Sequence, residues 1–519
     1  MPPGTRRPAG PVPIPPATPP RRTEAPMSLI PTGSSALLID GKLVPGSGGT
    51  FEVVNPATEE VLGTAADGTA ADADAAIEAA RRAFDTTGWS RNHSFRARCL
   101  RQLRDALRGH LEELRAITIA EAGAPRFLTT GAHLEGPVGD LGYFADLAEN
   151  YAWRQDLGNA APMGIPTHRY VLREGVGVVG AITPWNFPHQ INFAKLGPAL
   201  AAGNAMVLKP APDTPWCAAV VGRILAEETD IPPGVVNIVT SSDHALGALL
   251  ATDPRVDLVS FTGSTPTGRS VMRAASDTVK KVFLELGGKS AFIVLDDADL
   301  GAACSMAAFT VCTHAGQGCA ITTRLLVPRG RYEEAVRVTA DALRGIRPGD
   351  PDDPGTVCGP LISERQRARV EGYLRLAVEE GGTIVVGGGR PAEHERGFFV
   401  EPTLIAGVGN DARVAREEIF GPVLVILPYD GDDEAIRIAI DSPYGLSGAV
   451  WGTDEDRIRR VVEGVRTGTL SVNGGIWYAA DAPFGGYKQS GIGREMGVAG
   501  FEEYLETKLV AEPAAKQRG

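Results

Sequence analysis

Residues 314–320 read HAGQGCA. The thiol of Cys319 is either a nucleophile or a small buried side chain, and its immediate neighbours do not separate the two readings. A free thiol has a pKa of about 8.5, so a nucleophilic cysteine needs activation. His314 is a poor partner for it, because a spacing of five puts two side chains on diverging faces of a helix. Other segments offer what the thiol needs. In VFLELGGKSAFIV, Glu285 sits in an apolar strand-like run with Gly287 and Gly288 directly after it. A partly desolvated glutamate is a base near neutrality; a hydrogen-bonded structural carboxylate is the plainer alternative. In ITPWNFP, Asn186 stands in a loop fixed by prolines. It offers an amide to a developing oxyanion, or it is a turn asparagine. In SFTGSTPTG, an apolar strand runs into Gly263 and Ser264, and a helix follows. That turn is either an anion site built from helix N–H groups or an ordinary cap.

Taken together, these are the parts of one reaction. The thiol adds to an aldehyde carbonyl, the tetrahedral oxyanion passes hydride to a nicotinamide, and water activated by the carboxylate hydrolyses the thioester. GVGVVG, at 175–180, also fits a dinucleotide pattern. Its glycines lie inside a strand-like run, and the prolines of ITPWNFP forbid an early helix, so they read as close-packed strand positions.

The elements that must position these residues alternate along the chain. ADADAAIEAARRAFDTTGWS reads as one helix closed by Gly88, and SFRARCLRQLRDALRGHLEELRAITIAEAG as two amphipathic helices ending at Gly123. VGVVGAITPW, NAMVLKP, VVNIVT and VDLVSFTGS are short β-branched runs with helical stretches between most of them. That order implies an α/β fold with a mainly parallel sheet covered by helices on both faces. A second αβ series runs from KSAFIVLDDADL to about Gly475, with a junction near residue 288. Segment 151–174 is polar and interrupted, and reads as a hairpin that leaves the first domain to pair with another subunit.

Composition bounds the function. With 519 residues, 43% of them hydrophobic, the chain is long enough for several domains. A net charge of −12 argues against nucleic acid as a partner. The six scattered cysteines imply neither a disulfide framework nor a metal site, and reduced thiols in a cytoplasmic protein. No run approaches a membrane span. Residues 1–35 open with a proline- and arginine-rich stretch expected to be disordered, and Met27 is an alternative start.

PWNFP, NAMVLKP, SFTGST, ELGGKS, GQGCA, EEIFGPVL and PFGGYKQSGIGRE together resemble the aldehyde dehydrogenase superfamily, over residues 36–510. The resemblance implies two Rossmann-like open-sheet domains and a bridging hairpin. It assigns 36–150 and 175–287 to coenzyme binding, 288–495 to catalysis, and 151–174 with 496–512 to a homodimer or homotetramer contact. It implies Cys319 as nucleophile, Glu285 as general base, Asn186 as oxyanion donor, and Lys195 with Glu495 as a proton relay. Trp185, Lys209, Gly263, Ser264, Leu286, Glu418 and Phe420 would bind NAD or NADP. Phe187, Ile191, Ala194, Trp477, Tyr478 and Phe484 would line a tunnel for medium or large apolar aldehydes. His314 has no role in the pattern. Two positions depart from it. Pro212 stands where many NAD-preferring relatives carry a ribose-binding glutamate, which leaves NADP open. Pro266 replaces another frequent glutamate, with a local effect on the turn. Three other readings remain: a thiol-dependent esterase or thioester hydrolase without redox chemistry, a CoA-acylating dehydrogenase, and a non-catalytic protein on the same scaffold.

Overall fold

The computed structural model describes residues 35–514; the proline-rich opening stretch and residues 515–519 lie outside them. Two large open sheets carry the molecule. In the first, four parallel strands that the β-branched runs foretold pair side by side: Leu258–Thr262, Val178–Ile182, Ala205–Lys209 and Val236–Ile238. Lys281–Glu285 continues the sheet in parallel beyond Leu258–Thr262. All but the outermost residues of these strands are buried, as helices on both faces require. The chain order reverses between Val178–Ile182 and Leu258–Thr262. At such a switch point the loops after the two strands diverge and leave a crevice.

The second sheet is seven-stranded, and in it Ser290–Val294 is flanked in parallel by Thr322–Pro328, the central strand, and by Gly448–Trp451. Only residues 286–289 separate Lys281–Glu285 of the first sheet from Ser290–Val294 of the second. The junction read near residue 288 is therefore a short extended crossing. Gly287 and Gly288 are needed there for space. A Cβ on Gly287 would lie 2.2 Å from the Glu418 carboxylate, and one on Gly288 would lie 2.7 Å from the Cys319 carbonyl.

Two helices follow their sequence signals, whereas the first, Ala70–Thr86, is closed by Thr87 rather than Gly88. His93–Gly109 starts where the Asn92 side chain accepts from Phe95 N–H, and Leu111–Ala122 stops at Gly123 with φ 63°. Segment 151–174 does form a hairpin, Arg154–Ala160 with Thr167–Gly175. Its second strand pairs along its whole length with Leu505–Pro513 of the same chain. One strand crosses the expected boundary: Gly491–Ile492 pairs antiparallel with Leu284 and Glu285, so part of 288–495 belongs to the first sheet. Of the GVGVVG glycines, Gly175 and Gly180 are strand positions, whereas Gly177 lies in the bend between the two strands at φ 133°. Gly180 lies within Val178–Ile182, where a Cβ would press on Leu250 and Val256, and no helix begins before Pro188.

Candidate active site

The site lies where the carboxyl ends of the first sheet face the amino ends of the second. Glu285 ends a strand of one, and Cys319 precedes Thr322–Pro328 of the other. All six cysteines are free, and Cys319 is the one that is not fully buried. Its loop is held open by left-handed backbone at His314, Ala315 and Gly316 (φ 50°, 52° and 72°). Two of these are not glycines, and each costs of order 1–3 kcal/mol that the surroundings must offset. Gln317 supplies much of the offset. Its side chain donates to the His314 and Pro360 carbonyls and accepts from Ile362 N–H. Gly316 packs against the Gly421 carbonyl so closely that a Cβ would lie 2.1 Å from it. This is the physical content of GQGC: a glycine for close approach, then a glutamine as a clamp.

Asn186 is buried, and its amide donates to the Gln317 carbonyl at 2.8 Å. It thereby ties the 183–187 loop to the cysteine loop and keeps a second N–H. Glu285 is 1% exposed and neither carboxyl oxygen has a partner. Burial first, and the negative charge of Glu495 second, hold its carboxyl well above the usual range; Lys195 and Arg494 partly offset this. Lys195 is fully buried, 2.9 Å from Glu495 and 3.0 Å from the Ser260 hydroxyl. Ser260 in turn meets the Tyr504 hydroxyl at 3.1 Å. The Cys319 thiol is also pushed up, by burial and then by the charges of Glu285, Glu418 and Glu495. Burial thus disfavours the charged form of nucleophile and base alike.

Cavities reach the thiol from two sides. One of about 370 Å³ is lined by Phe187, Ile191, Trp477, Tyr478 and Phe484, and reaches Asn186, Glu285 and Cys319. Trp477 and Phe484 stack at 5.4 Å, and Tyr478 meets both edge-on. Ala194 does not line this cavity; a turn past Ile191 the helix Pro188–Ala202 is enclosed in the core, and Ala194 packs there. A second cavity of about 160 Å³ also holds Asn186, Glu285 and Cys319, with Trp185, Leu286 and Glu418 around it. Glu418 accepts from Gly288 N–H at 3.0 Å, and its carboxyl is raised to about 7, mainly by burial. Phe420, at φ 65°, faces Trp185 edge-on at 5.5 Å. A third cavity of about 390 Å³ continues past Trp185, Gly263 and Ser264 to Lys209. Ser264 caps the helix Thr265–Ala275 through Thr267 N–H. At Gly263 the constraint is space: a Cβ would lie 2.5 Å from the Phe261 ring.

These features fit a nicotinamide dinucleotide. Apolar faces flank a carboxylate near the thiol, a capped helix start lies beyond, and the buried Thr262 hydroxyl borders all three cavities without a partner. Thr262, Gln190, Gln366 and Arg369 escaped the sequence reading. Arg369 donates to the carbonyls of Glu418 and Ile419 and so fixes the segment that carries Phe420. Its position on Glu364–Glu379, a turn from Gln366, was the available signal. His314 is fully buried against His133 and Phe187, its imidazole pushed down to about 4 by burial. Neither of its ring nitrogens bonds to Cys319 or to any other described side chain.

Residues 43–510 match the sequence profile described as the aldehyde dehydrogenase family. The 3-succinoylsemialdehyde-pyridine dehydrogenase of a Pseudomonas species is 45% identical over 91% of this chain and 97% of its own. The geranial dehydrogenase of Castellaniella defragrans is 42% identical over 90% and 96%. The crystal structure of Staphylococcus aureus betaine aldehyde dehydrogenase with NAD+ superposes with a TM-score of 0.91 at 36% identity, covering 95% of this chain and 97% of that one. Together with a thiol set between two cavities, a buried carboxyl and an amide beside it, these matches establish that the chain belongs to the aldehyde dehydrogenase family, enzymes that oxidise aldehydes with NAD(P).

Proposed function

We propose that this chain oxidises medium or large apolar aldehydes to carboxylates through a thioester on Cys319. The observation that carries the reading is the position of Cys319, reached from both sides and accompanied on each by Asn186 and Glu285. Glu285 draws the thiol proton, and the thiolate adds to the aldehyde carbonyl. The free N–H of Asn186 and the backbone N–H of Cys319 hold the resulting oxyanion. A nicotinamide bound beside the thiol would supply the acceptor for the hydride that leaves this carbon. Trp185, Leu286, Glu418 and Phe420 hold it beside the thiol, and Lys209, Gly263 and Ser264 hold the rest of the coenzyme. Having passed the thiol proton outward, Glu285 takes a second proton from water, which attacks the thioester and frees the carboxylate. Glu495, Lys195, Ser260 and Tyr504 form a buried polar chain whose charged members act on this base, and we assign the proton relay to it. Proton transfer along it restores Glu285.

The aromatic cluster Trp477, Tyr478 and Phe484 supports an apolar or aromatic substrate, as do relatives named for geranial and for a pyridine-bearing semialdehyde. Pockets of this kind discriminate weakly, so a range of aldehydes is accepted. Ester hydrolysis needs only the thiol and base; the second cavity, with its carboxylate at the Gly288 N–H, favours the redox reading. We read the enzyme as a cytoplasmic homo-oligomer, assembled through the hairpin and Leu505–Pro513. Trapping tests the chemistry. Glu285→Gln mixed with aldehyde and coenzyme should accumulate an acyl group on the Cys319 peptide, read by mass spectrometry. An unmodified peptide, or acylation at another cysteine, would contradict the scheme.

A further inference from the structure

The wall of the 370 Å³ cavity extends beyond the thiol and the aromatic cluster at Trp477. It takes in Met306 and Thr310 of the helix Leu300–Cys312, and Phe292, Thr322 and Trp451 of the second sheet. Met306 and Thr310 stand one turn apart and share a helix face. Phe292 and Trp451 come from neighbouring parallel strands and stack at 6.0 Å. Small residues leave room around them. Ala449 pairs with Phe292, and a Cβ on Gly474 would already touch the Trp451 ring at 3.4 Å. The Ser447 hydroxyl donates to the Ala320 carbonyl, beside the nucleophile. Trp451 lies four residues further along the same chain segment, so this wall runs about 13 Å from the level of the thiol.

Two hydrogen-bonding groups in this wall have no partner among the described residues. Trp451 Nε1 is buried and donates to nothing. Trp89, Trp153 and Trp216, by contrast, each donate to a backbone carbonyl. Thr322 is 5% exposed and its hydroxyl is also without a partner, although Ser290, paired with it across the strands, is bonded to Ser447. A buried donor left unpaired is costly, so a bound molecule that brings an acceptor is favoured over an isostere that lacks one. The acceptor is uncharged. Among the described residues no lysine, arginine or histidine lines this cavity, whereas the carboxyl groups of Glu285 and Glu495 do. A substrate carboxylate would meet no cation and two acidic groups.

We propose that this stretch of the cavity is a subsite for the far end of the substrate, in which Trp451 Nε1–H and the Thr322 hydroxyl donate to a neutral acceptor. The preferred substrates are then aldehydes whose aryl or alkyl body carries a ring nitrogen, a keto oxygen or an ether oxygen remote from the formyl group. Phe292 and Met306 enclose the apolar body, and the two donors select what it carries. The inference rests on the reading of this cavity as the place where aldehydes meet Cys319, and narrows its substrate class.

The aldehydes 4-(pyridin-3-yl)butanal and 4-phenylbutanal test this, because they differ only by a ring nitrogen in place of a C–H. Steady-state coenzyme reduction by the full chain gives kcat/KM for each. The wild type should favour the pyridyl aldehyde about tenfold, chiefly through KM. Trp451→Phe keeps an aromatic ring and removes the N–H, and should bring the ratio close to one. Thr322→Val removes only the hydroxyl and should lower the ratio by less; it reads the subsite independently should Trp451→Phe not fold. A purely structural role for either residue would change both aldehydes alike and leave the ratio as it was. If the wild type oxidises both aldehydes at a ratio of one or below, the subsite is overturned while the reading of the cavity as an aldehyde site stands. If it oxidises neither, the subsite and the apolar-substrate reading fall together. If the wild-type ratio is high and neither substitution lowers it, the assignment of the two donors is wrong.

Discussion

Replacing Asn186 by alanine separates chemistry from architecture at this site. The amide has two N–H groups; one donates to the Gln317 carbonyl at 2.8 Å, and the other is available to the substrate oxyanion. Loss of the first bond costs about 1 kcal/mol of stability, with the buried Gln317 carbonyl left short of a partner. Loss of the second removes a donor from the developing charge. An oxyanion donor is worth about 10²–10³ in kcat, or about 2.7–4 kcal/mol. The thiol itself should change little, because its protonation is governed by burial and by Glu285, Glu418 and Glu495 rather than by Asn186. The assay pairs steady-state coenzyme reduction with the rate of iodoacetamide alkylation of Cys319. Asn186→Ala should lose at least 10²-fold in kcat while alkylation stays within about threefold of wild type. If kcat survives within threefold, Asn186 is not the oxyanion donor. If alkylation falls as far as kcat, the amide acts by holding the cysteine loop and the reasoning from a free N–H is wrong.

Other perturbations follow from the same geometry. Glu285→Gln should keep a first burst of reduced coenzyme and then slow by about 10²–10⁴-fold, since the base is needed most for the water; stopped-flow absorbance reads both phases, and an unchanged steady rate would remove Glu285 from that role. Cys319 and Glu285 both work deprotonated, and burial holds both above their usual values. Activity should therefore rise with pH between 6 and 9, by about tenfold or more; a flat or falling profile contradicts the burial argument. Glu495→Gln leaves the fully buried Lys195 without its carboxylate at 2.9 Å and should cost about 3–5 kcal/mol in urea unfolding. Gly316→Ala puts a Cβ 2.1 Å from the Gly421 carbonyl at a φ of 72°. It should displace the cysteine loop and abolish turnover, and the crystal structure of the variant would show whether the loop has moved.

The parallel strands of the first sheet were legible because they are buried on both faces and read as continuous β-branched runs. The polar site residues were legible because each interrupts or ends such a run: Glu285 at a strand end, Asn186 in a proline-fixed loop, Ser264 at a helix start. What escaped depends on contacts distant in sequence. Gly491–Ile492 is a two-residue strand with no periodicity of its own, yet it pairs with the residues that carry the base. Gly263 was legible as a special position but not for its reason, since the Phe261 ring beneath it is a matter of packing. Ala194 fell outside the cavity because helix Pro188–Ala202 is buried nearly all round, so no polar face marks where the cavity wall ends.

The most direct test is reduced-coenzyme formation from a panel of apolar, aromatic and quaternary-ammonium aldehydes, with NAD and NADP in parallel, for wild type and Cys319→Ala. The account predicts turnover by the wild type, fastest on the larger apolar aldehydes, and none by the variant. Full activity in the variant would make the cysteine of HAGQGCA a packing residue and contradict the central assignment.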